Sequence, residues 1–142
     1  MPTTNTVLVY RIVDDIWNHG KLYLFDELFA PDFKNTDPGN PLVVDRDGLN
    51  AFAEALRSAF PDFHVVVDEM ISEGDSVAKC WTLTGTSQQT FMGIPPTGKL
   101  VTLKGITIYH MAGGRVRECV WAYDNYSLMA QLEAIPQAAA TP

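Results

Sequence analysis

The residues best placed for chemistry are an amide and a carboxylate that stand close together before a turn, in Asn35-Thr36-Asp37-Pro38. At the mouth of a cavity, Asp37 can act as a general acid or base, or it can orient a substrate. The structural alternative is that Asp37 forms an Asx turn ahead of Pro38 and has no chemical role. The sequence leaves both interpretations open.

Four aromatic residues are candidate walls of a pocket for an apolar or aromatic ligand: Trp17, Trp81, Trp121 and Tyr123. The alternative is an ordinary hydrophobic core, which is the more frequent role of any single aromatic residue. Thr107 is a polar residue on an otherwise apolar strand face. Together these residues predict a mixed pocket, with several apolar walls and a few polar anchors.

Other titratable residues have a structural interpretation beside the chemical one. Asp124 precedes a predicted helix and is expected to cap it, although it could also be a cavity carboxylate. His110 is expected on the outer face of its strand, and whichever of Asp68 and Glu69 faces inward is a candidate acid. The chain has no Gly-x-Ser-x-Gly, P-loop or Gly-x-Gly-x-x-Gly pattern, so no motif supports a serine hydrolase or a nucleotide-binding protein.

Length and composition narrow the class of protein. The chain has 142 residues, about the size of one ordinary domain, and 46% of them are hydrophobic. Its net charge of −7 and its scattered cations disfavour nucleic acid as a partner. No apolar run approaches the roughly eighteen residues of a membrane span, and the first residues lack the features of a secretion signal. We therefore expect a cytoplasmic protein without a membrane partner, in which Cys80 and Cys119 are free thiols and zinc is not bound.

Helix patterns precede strand patterns along the chain. Apolar spacing and helix breakers predict helices over residues 6–18, 22–29 and 48–59, with a brief extended segment at 33–37. Residues rich in β-branched and aromatic types then predict strands over 64–72, 76–88, 99–111 and 115–124, and a closing helix over 125–133. This order predicts an α+β fold in which a curved antiparallel sheet wraps on helices and encloses a cavity.

The alternation of residues 101–111 assigns the two faces of the third long strand. The more apolar face, which is expected to turn towards the helices, consists of Val101, Leu103, Gly105, Thr107, Tyr109 and Met111. The opposite face still carries Ile106 and Ile108. This predicts that the sheet is covered, most simply by a second copy of the chain.

Motifs along most of the chain resemble those of the SnoaL-like polyketide cyclases, often labelled ester cyclases. The resemblance extends over about residues 5–133, and its most specific segment is FMGIPPTGK at 91–99. The other matching segments are IWNHGK at 16–21, FDELFAPDF at 25–33, DP at 37–38, LRSAFPD at 56–62, WTLTGT at 81–86, GI at 105–106 and GRV at 114–116.

The resemblance implies the cone-shaped fold of nuclear transport factor two, with helices packed on a curved sheet. It also implies a homodimer formed through the sheets, an apolar cone-shaped cavity and a site that uses no cofactor. The characterised cyclases of this family close a ring by an intramolecular aldol reaction on polyketide esters. A carboxylate assists proton transfer next to a carbonyl group in that reaction.

The family's site residues carry over position by position. Trp17 falls where the cyclases have a pocket aromatic residue, and Asn35 matches a pocket asparagine. Thr107 stands where the cyclases place a histidine. Other relatives commonly carry histidines at three further positions, which in this chain are Thr36, Ser87 and Cys119. Trp121 stands where the aldol cyclases have their catalytic aspartate. Asp37 and Asp124 match residues common in the wider family, which makes Asp37 the predicted catalytic residue here.

We therefore predict a single SnoaL-like domain over residues 1–135 and a flexible C-terminal tail over 136–142. Its predicted function is cyclisation or isomerisation of a small polyketide- or terpenoid-like intermediate in secondary metabolism, without a cofactor. The predicted substrate-binding residues are Trp17, Asn35, Trp81, Thr107, Cys119, Trp121 and Tyr123. One alternative is a protein that sequesters a ligand in the same cavity, and another is a partner-binding adaptor with an apolar patch on its convex surface.

Overall fold

The computed structural model describes residues 3–135, and the predicted tail at 136–142 lies outside that range. The helical elements are α1 (Thr4–Arg11), a π-helical segment (Ile12–Asn18), a 3-10 turn (Leu22–Leu24), α2 (Phe25–Leu28), α3 (Arg46–Ala59) and α4 (Asn125–Gln131). The strands are β1 (Phe29–Thr36), β2 (His64–Glu73), β3 (Ser76–Thr86), β4 (Leu100–Ala112) and β5 (Arg115–Tyr123).

The five strands form one sheet in the order β1-β5-β4-β3-β2. Strands β2 to β5 pair antiparallel in sequence order, and β1 joins the edge beside β5 in parallel. The predicted antiparallel sheet therefore comprises β2 to β5, whereas the segment predicted only as briefly extended adds a parallel edge strand. Because α1 to α3 precede β2 to β5 along the chain, the predicted α+β class is confirmed.

The faces of β4 are those predicted from its alternation. Val101, Thr107 and Tyr109 are buried on the concave side, whereas Ile106 and Ile108 on the other side are 46% and 37% exposed. A period of two residues places all inward positions of a strand on one surface. The concave surface of the sheet is thus largely apolar, and the helices cover it.

The first helix differs from its prediction as one continuous helix over 6–18. After Arg11 it widens into a π-helical segment, in which the His19 N–H donates to the Asp14 carbonyl at 3.0 Å. Segments of this kind are rare and often occur at functional sites. Here the segment buries Ile16 and Trp17, and Gly20 ends it in the left-handed conformation at φ +70°.

The second predicted helix is shorter than expected, because the chain already enters β1 at Phe29. Pro31 does not end a helix but lies inside this strand. The strand is at the edge of the sheet, and its pairing with β5 shifts register between Phe29 and Lys34. A proline at such a position removes no inner hydrogen bond of the sheet.

Two aspartates fix the helices that border the cavity. The Asp45 side chain accepts from the Gly48 N–H at 2.8 Å and starts α3, and Asp124 accepts from the Ser127 N–H at 2.8 Å and starts α4. Cys80 and Cys119 are free thiols, as predicted. No helix within residues 3–135 is long and apolar enough to cross a membrane.

Candidate active site

A cavity of about 150 Å³ lies between the helices and the concave face of the sheet. Its walls are mostly apolar, and seven aromatic residues line it: Trp17, Phe52, Phe60, Trp81, Phe91, Trp121 and Tyr123. The polar residues of the lining are few and include Asp37, Asn40, Lys79 and Asn125. Apolar walls with a few placed polar groups are typical of small-molecule sites.

Alternation along the strands explains why these side chains meet. Lys79 and Trp81 occupy successive inward positions of β3, and Trp121 and Tyr123 do so on β5. The pairing of β3, β4 and β5 brings these positions side by side, so that Thr107 of β4 lies opposite both Lys79 and Trp121. The concave face of the sheet thereby forms the floor of the cavity.

All three tryptophans of the chain line the cavity. The ring of Trp121 meets those of Trp17 and Trp81 edge to face, with centroids 6.0 and 6.3 Å apart. The ring of Tyr123 lies 6.3 Å from that of Trp81. The structure thus brings together the four aromatic residues that were predicted as pocket walls.

Asn35 and Thr107 lie behind this aromatic layer and are not part of the cavity lining. The Trp121 indole N–H donates to the Asn35 Oδ1 at 2.7 Å, and the Trp81 indole N–H donates to the Thr107 hydroxyl at 2.9 Å. A buried indole N–H needs such a partner. Both residues were predicted to contact substrate, but here they fix the orientation of the two indoles that border the cavity.

Cys119 is also absent from the cavity lining, and its side chain is fully buried. It pairs across the sheet with Asn35 of β1 and with Tyr109 of β4. Burial raises the pKa of its thiol far above the ordinary value, so the reactive thiolate is strongly disfavoured. The structure therefore places Cys119 in the packing beneath the site and not in the cavity wall, where it was predicted.

Asp37 follows β1 and lies at the wall of the cavity, where it is only 8% exposed. One carboxylate oxygen accepts from the Gly39 N–H at 2.9 Å, which is the Asx turn foreseen as the structural alternative. The other oxygen accepts from the Tyr123 hydroxyl at 3.0 Å. Burial raises the pKa of the Asp37 carboxyl, and these hydrogen bonds partly oppose the rise. Asp37 thus has both the structural position and the environment of an acid–base group.

Lys79 is a cavity residue that the sequence analysis missed. Its side chain is 2% exposed, and its Nζ donates to the Tyr109 hydroxyl at 2.7 Å. The Nζ also lies over the rings of Tyr109 and Trp121, at 5.1 and 5.7 Å from their centroids. Burial lowers the pKa of this amine to about 7. The signal in the sequence was its inward position in β3, midway between Val77 and Trp81.

The remaining titratable candidates lie away from the cavity lining. Asp68 and Glu69 are both exposed, because a bulge after Val67 interrupts the alternation, so neither is the inward-facing acid that was considered. Asp124 caps α4, as expected. His110 shares a hydrogen bond with the Ser76 hydroxyl at 2.9 Å.

The segment 91–99, the most specific motif of the sequence, contributes to the cavity wall. Phe91 and Ile94 exchange two backbone hydrogen bonds of 2.9 and 2.8 Å around a tight turn. Met92 and Gly93 occupy left-handed conformations in that turn, with φ of 51° and 76°. The turn places the buried Phe91 and the exposed Met92 against the cavity.

Comparison with known proteins identifies the family. The family model for the SnoaL-like polyketide cyclases matches residues 7–132. Among curated proteins, none matches this chain. Among solved structures, a protein of Jannaschia sp. CCS1 assigned as a SnoaL-like polyketide cyclase is 30% identical, with a TM-score of 0.84 and 94% of each chain covered.

Two further structures come from Streptomyces. AclR of Streptomyces galilaeus, assigned as a hydroxylase, is 27% identical with a TM-score of 0.82, over 93% of this chain and 97% of AclR. IdmH of Streptomyces antibioticus, assigned as a polyketide cyclase, is 28% identical with a TM-score of 0.80, over 92% of this chain and 99% of IdmH. The fold is that of nuclear transport factor two-like proteins, and the chain belongs to the SnoaL-like polyketide cyclase family.

Proposed function

We propose that the protein is a cofactor-independent cyclase or isomerase that acts on a small polyketide- or terpenoid-like intermediate of secondary metabolism. The observation that carries this proposal is a carboxylate, that of Asp37, with a raised pKa at the wall of a largely apolar cavity. A base in that environment is suited to removing a proton from a carbon atom next to a carbonyl group. Family membership supports the choice of polyketide chemistry.

Asp37 is the proposed acid–base group because position 121 is a tryptophan. The resemblance places the aspartate of the aldol cyclases at this position, and an indole does not transfer protons at neutral pH. The Trp121 N–H is moreover engaged by Asn35 at 2.7 Å. In this chain the indole supplies a wall, and proton transfer falls to Asp37 with the Tyr123 hydroxyl as its hydrogen-bond partner.

The size of the cavity limits the substrate. Cavities for drug-sized ligands commonly measure about 300–1,000 Å³, whereas this one measures about 150 Å³. A volume of that order accommodates a small aromatic ring. We therefore propose that the reacting part of the substrate is one ring or a pair of fused rings, held between the indoles of Trp17, Trp81 and Trp121.

We further propose a homodimer that forms through the outer face of the sheet. The outer face carries four exposed apolar residues of β2 and β4, the two strands on either side of β3 in the sheet: Val66, Leu100, Ile106 and Ile108. Apolar surface of this kind is covered in many proteins by a second subunit. Analytical ultracentrifugation tests this proposal: a dimer of the wild type that an Ile106→Glu variant converts to monomer supports it, and a monomeric wild type refutes it.

The second candidate function is sequestration of a ligand without turnover. It is favoured by the hydrogen bonds of Asp37, whose two oxygens already hold the Asx turn and the Tyr123 hydroxyl. A carboxylate engaged in this way can serve the architecture of the loop alone. The two functions place the same ligand in the same cavity and differ only in whether a product leaves it.

Incubation of the purified protein with candidate linear and partly cyclised polyketide esters separates the two functions. Chromatography with mass detection should show a new product of the same mass as the substrate, or of that mass less one water molecule. The Asp37→Asn variant should lose most of this activity. The control variant Asp32→Asn, which alters an exposed carboxylate on β1, should retain it. An unchanged rate in Asp37→Asn rejects the role of Asp37, and recovery of every bound compound unchanged favours sequestration.

A further inference from the structure

We propose that Lys79 is a catalytic amine that forms a Schiff base with a ketone or aldehyde carbonyl of the ligand in the cavity. The proposal deepens the proposed function and rests on it in one respect, namely that the ligand carries such a carbonyl group. It adds a covalent role for a residue that neither the motifs nor the family resemblance singled out.

The first observation is the position of the side chain. Lys79 borders the cavity from the floor formed by β3, and its side chain is 2% exposed. Its neighbours are the rings of Tyr109 and Trp121, above which the Nζ lies at 5.1 and 5.7 Å. A ligand that packs against the Trp121 indole is therefore held beside this amine.

The second observation is the absence of a compensating anion among the described residues. A lysine buried for structural reasons is normally paired, because an isolated buried charge is costly. Within residues 3–135, the side-chain hydrogen bond of Lys79 goes to the neutral Tyr109 hydroxyl at 2.7 Å. Its charged form is opposed by burial and favoured only by the Cys119 thiol, whose own ionisation burial suppresses. Such surroundings favour an amine without its extra proton.

The third observation is that no competing nucleophile lines the cavity. Within residues 3–135, the lining contains no serine, threonine, cysteine or histidine. The Tyr123 hydroxyl is engaged with Asp37, and burial beside that carboxylate raises its pKa. A desolvated lysine is an established way to obtain a nucleophilic amine at neutral pH. Because burial lowers the pKa of Lys79 to about 7, its amine is neutral in about half of the protein molecules at pH 7.

The chemical step is balanced without an oxidant or reductant. The Lys79 nitrogen attacks the carbonyl carbon and forms a C–N bond, and the C=O electron pair moves to oxygen. The oxygen leaves as one water molecule with the two amine hydrogens as the C=N bond forms. The imine nitrogen takes up one proton from solvent, and the adjacent carbon of this iminium ion releases a proton to the Asp37 carboxylate, which lines the same cavity. The resulting enamine can attack a second carbonyl carbon and close a ring, and protonated Asp37 returns its proton to the alkoxide oxygen that forms. Water then hydrolyses the iminium ion, which restores the neutral amine and returns one proton to solvent.

Reductive trapping tests the proposal directly. The full-length protein is incubated at pH 7 with benzaldehyde and sodium cyanoborohydride, which converts an imine into a stable benzyl amine, and peptide mapping by mass spectrometry locates the label. Lys79 should be labelled at least roughly tenfold faster than the four exposed lysines, Lys21, Lys34, Lys99 and Lys104, because its pKa of about 7 leaves its amine neutral in about half of the molecules at this pH.

Two variants serve as controls. Lys79→Met should abolish the fast labelling and leave the slow labelling, and Lys34→Met should leave both the fast label and its site unchanged. The peptide map of the wild type decides the outcome even if a variant fails to fold. Labelling of Lys79 that is no faster than that of the exposed lysines overturns the proposal.

The same experiment separates this proposal from the proposed function. Because all three tryptophans line the cavity, their fluorescence reports entry of the aldehyde. A fluorescence change without labelling of Lys79 overturns the Schiff base and leaves the acid–base role of Asp37 standing. No fluorescence change and no labelling counts against both, because the cavity then does not accept a small aromatic carbonyl compound.

Discussion

Replacement of Lys79 by methionine should stabilise the protein at low pH and do so progressively less as the pH rises. In the folded state the pKa of Lys79 is about 7, compared with an ordinary value of 10.5. The folded protein therefore resists protonation of this amine, and the unfolded chain does not. Below pH 7 the full unfavourable contribution is present, and it disappears as the pH rises from 7 to 10.5. Methionine has a similar length and carries no charge, so its contribution does not depend on pH.

The magnitude follows from the shift of the pKa. A difference of 3.5, from 10.5 to 7, corresponds to about 5 kcal/mol in the free energy of unfolding. According to the linkage relation, the unfavourable contribution of Lys79 decreases by about 2 kcal/mol when the pH rises from 6 to 8.5. Over that range the wild type should gain about 2 kcal/mol relative to Lys79→Met. Groups that titrate in both proteins cancel in the difference.

Urea unfolding followed by far-ultraviolet circular dichroism measures this difference, since it avoids the tryptophan signal near the substitution. Lys34→Met, which removes an exposed lysine, is the control for the loss of one positive charge. A difference between the wild type and Lys79→Met that stays constant from pH 6 to pH 8.5 would refute the reasoning. The Lys79 amine would then be in contact with water and titrate normally.

Three further predictions concern the walls of the cavity. Tyr123→Phe removes a hydrogen bond that lowers the pKa of Asp37, so the acid limb of the pH–rate profile should move to higher pH; an unmoved limb contradicts the proposed base. Asn35→Ala removes the oxygen that accepts the hydrogen bond of the Trp121 indole N–H, and the buried N–H is left without a partner. The free energy of unfolding in urea titrations should fall by about 1–3 kcal/mol, and a fall below about 0.5 kcal/mol contradicts the role of Asn35 in fixing this indole. Gly105→Ala places a methyl group against Cζ2 and Cη2 of the Trp81 ring and 2.9 Å from the Ala122 carbonyl oxygen. It should cost about 1–3 kcal/mol and weaken ligand-induced fluorescence changes. Unaltered stability and binding would show that the ring moves aside freely.

The larger features of the fold could be predicted because they follow from local patterns. The alternation of β4 from Val101 to Met111 assigned its buried face correctly, since β4 pairs with β3 in one continuous register without a bulge. The exceptions arose where tertiary context alters the local rule. Pro31 lies within a strand because that strand is at an edge, and the bulge after Val67 turns both Asp68 and Glu69 outwards.

The candidate site was predictable in its walls and less so in its polar groups. Trp17, Trp81 and Trp121 could be chosen as walls because large aromatic residues on inward positions must border whatever space the fold encloses. Whether Asn35 faces the cavity or the back of an indole depends on a hydrogen bond across the sheet, which no local pattern encodes. Lys79 was missed because a lysine is ordinarily assigned to the surface, although its strand position pointed inwards.

Proton exchange at carbon measures most directly whether the cavity performs acid–base chemistry next to a carbonyl group. The protein is incubated in deuterium oxide with 1-tetralone, a small aromatic ketone, and mass spectrometry follows deuterium incorporation beside the carbonyl. The wild type should accelerate this exchange, and Asp37→Asn should reduce the acceleration by roughly a hundredfold or more, as expected for the loss of a general base. Exchange no faster than in buffer, while tryptophan fluorescence shows the ketone bound, would contradict a catalytic function and leave a ligand-binding protein.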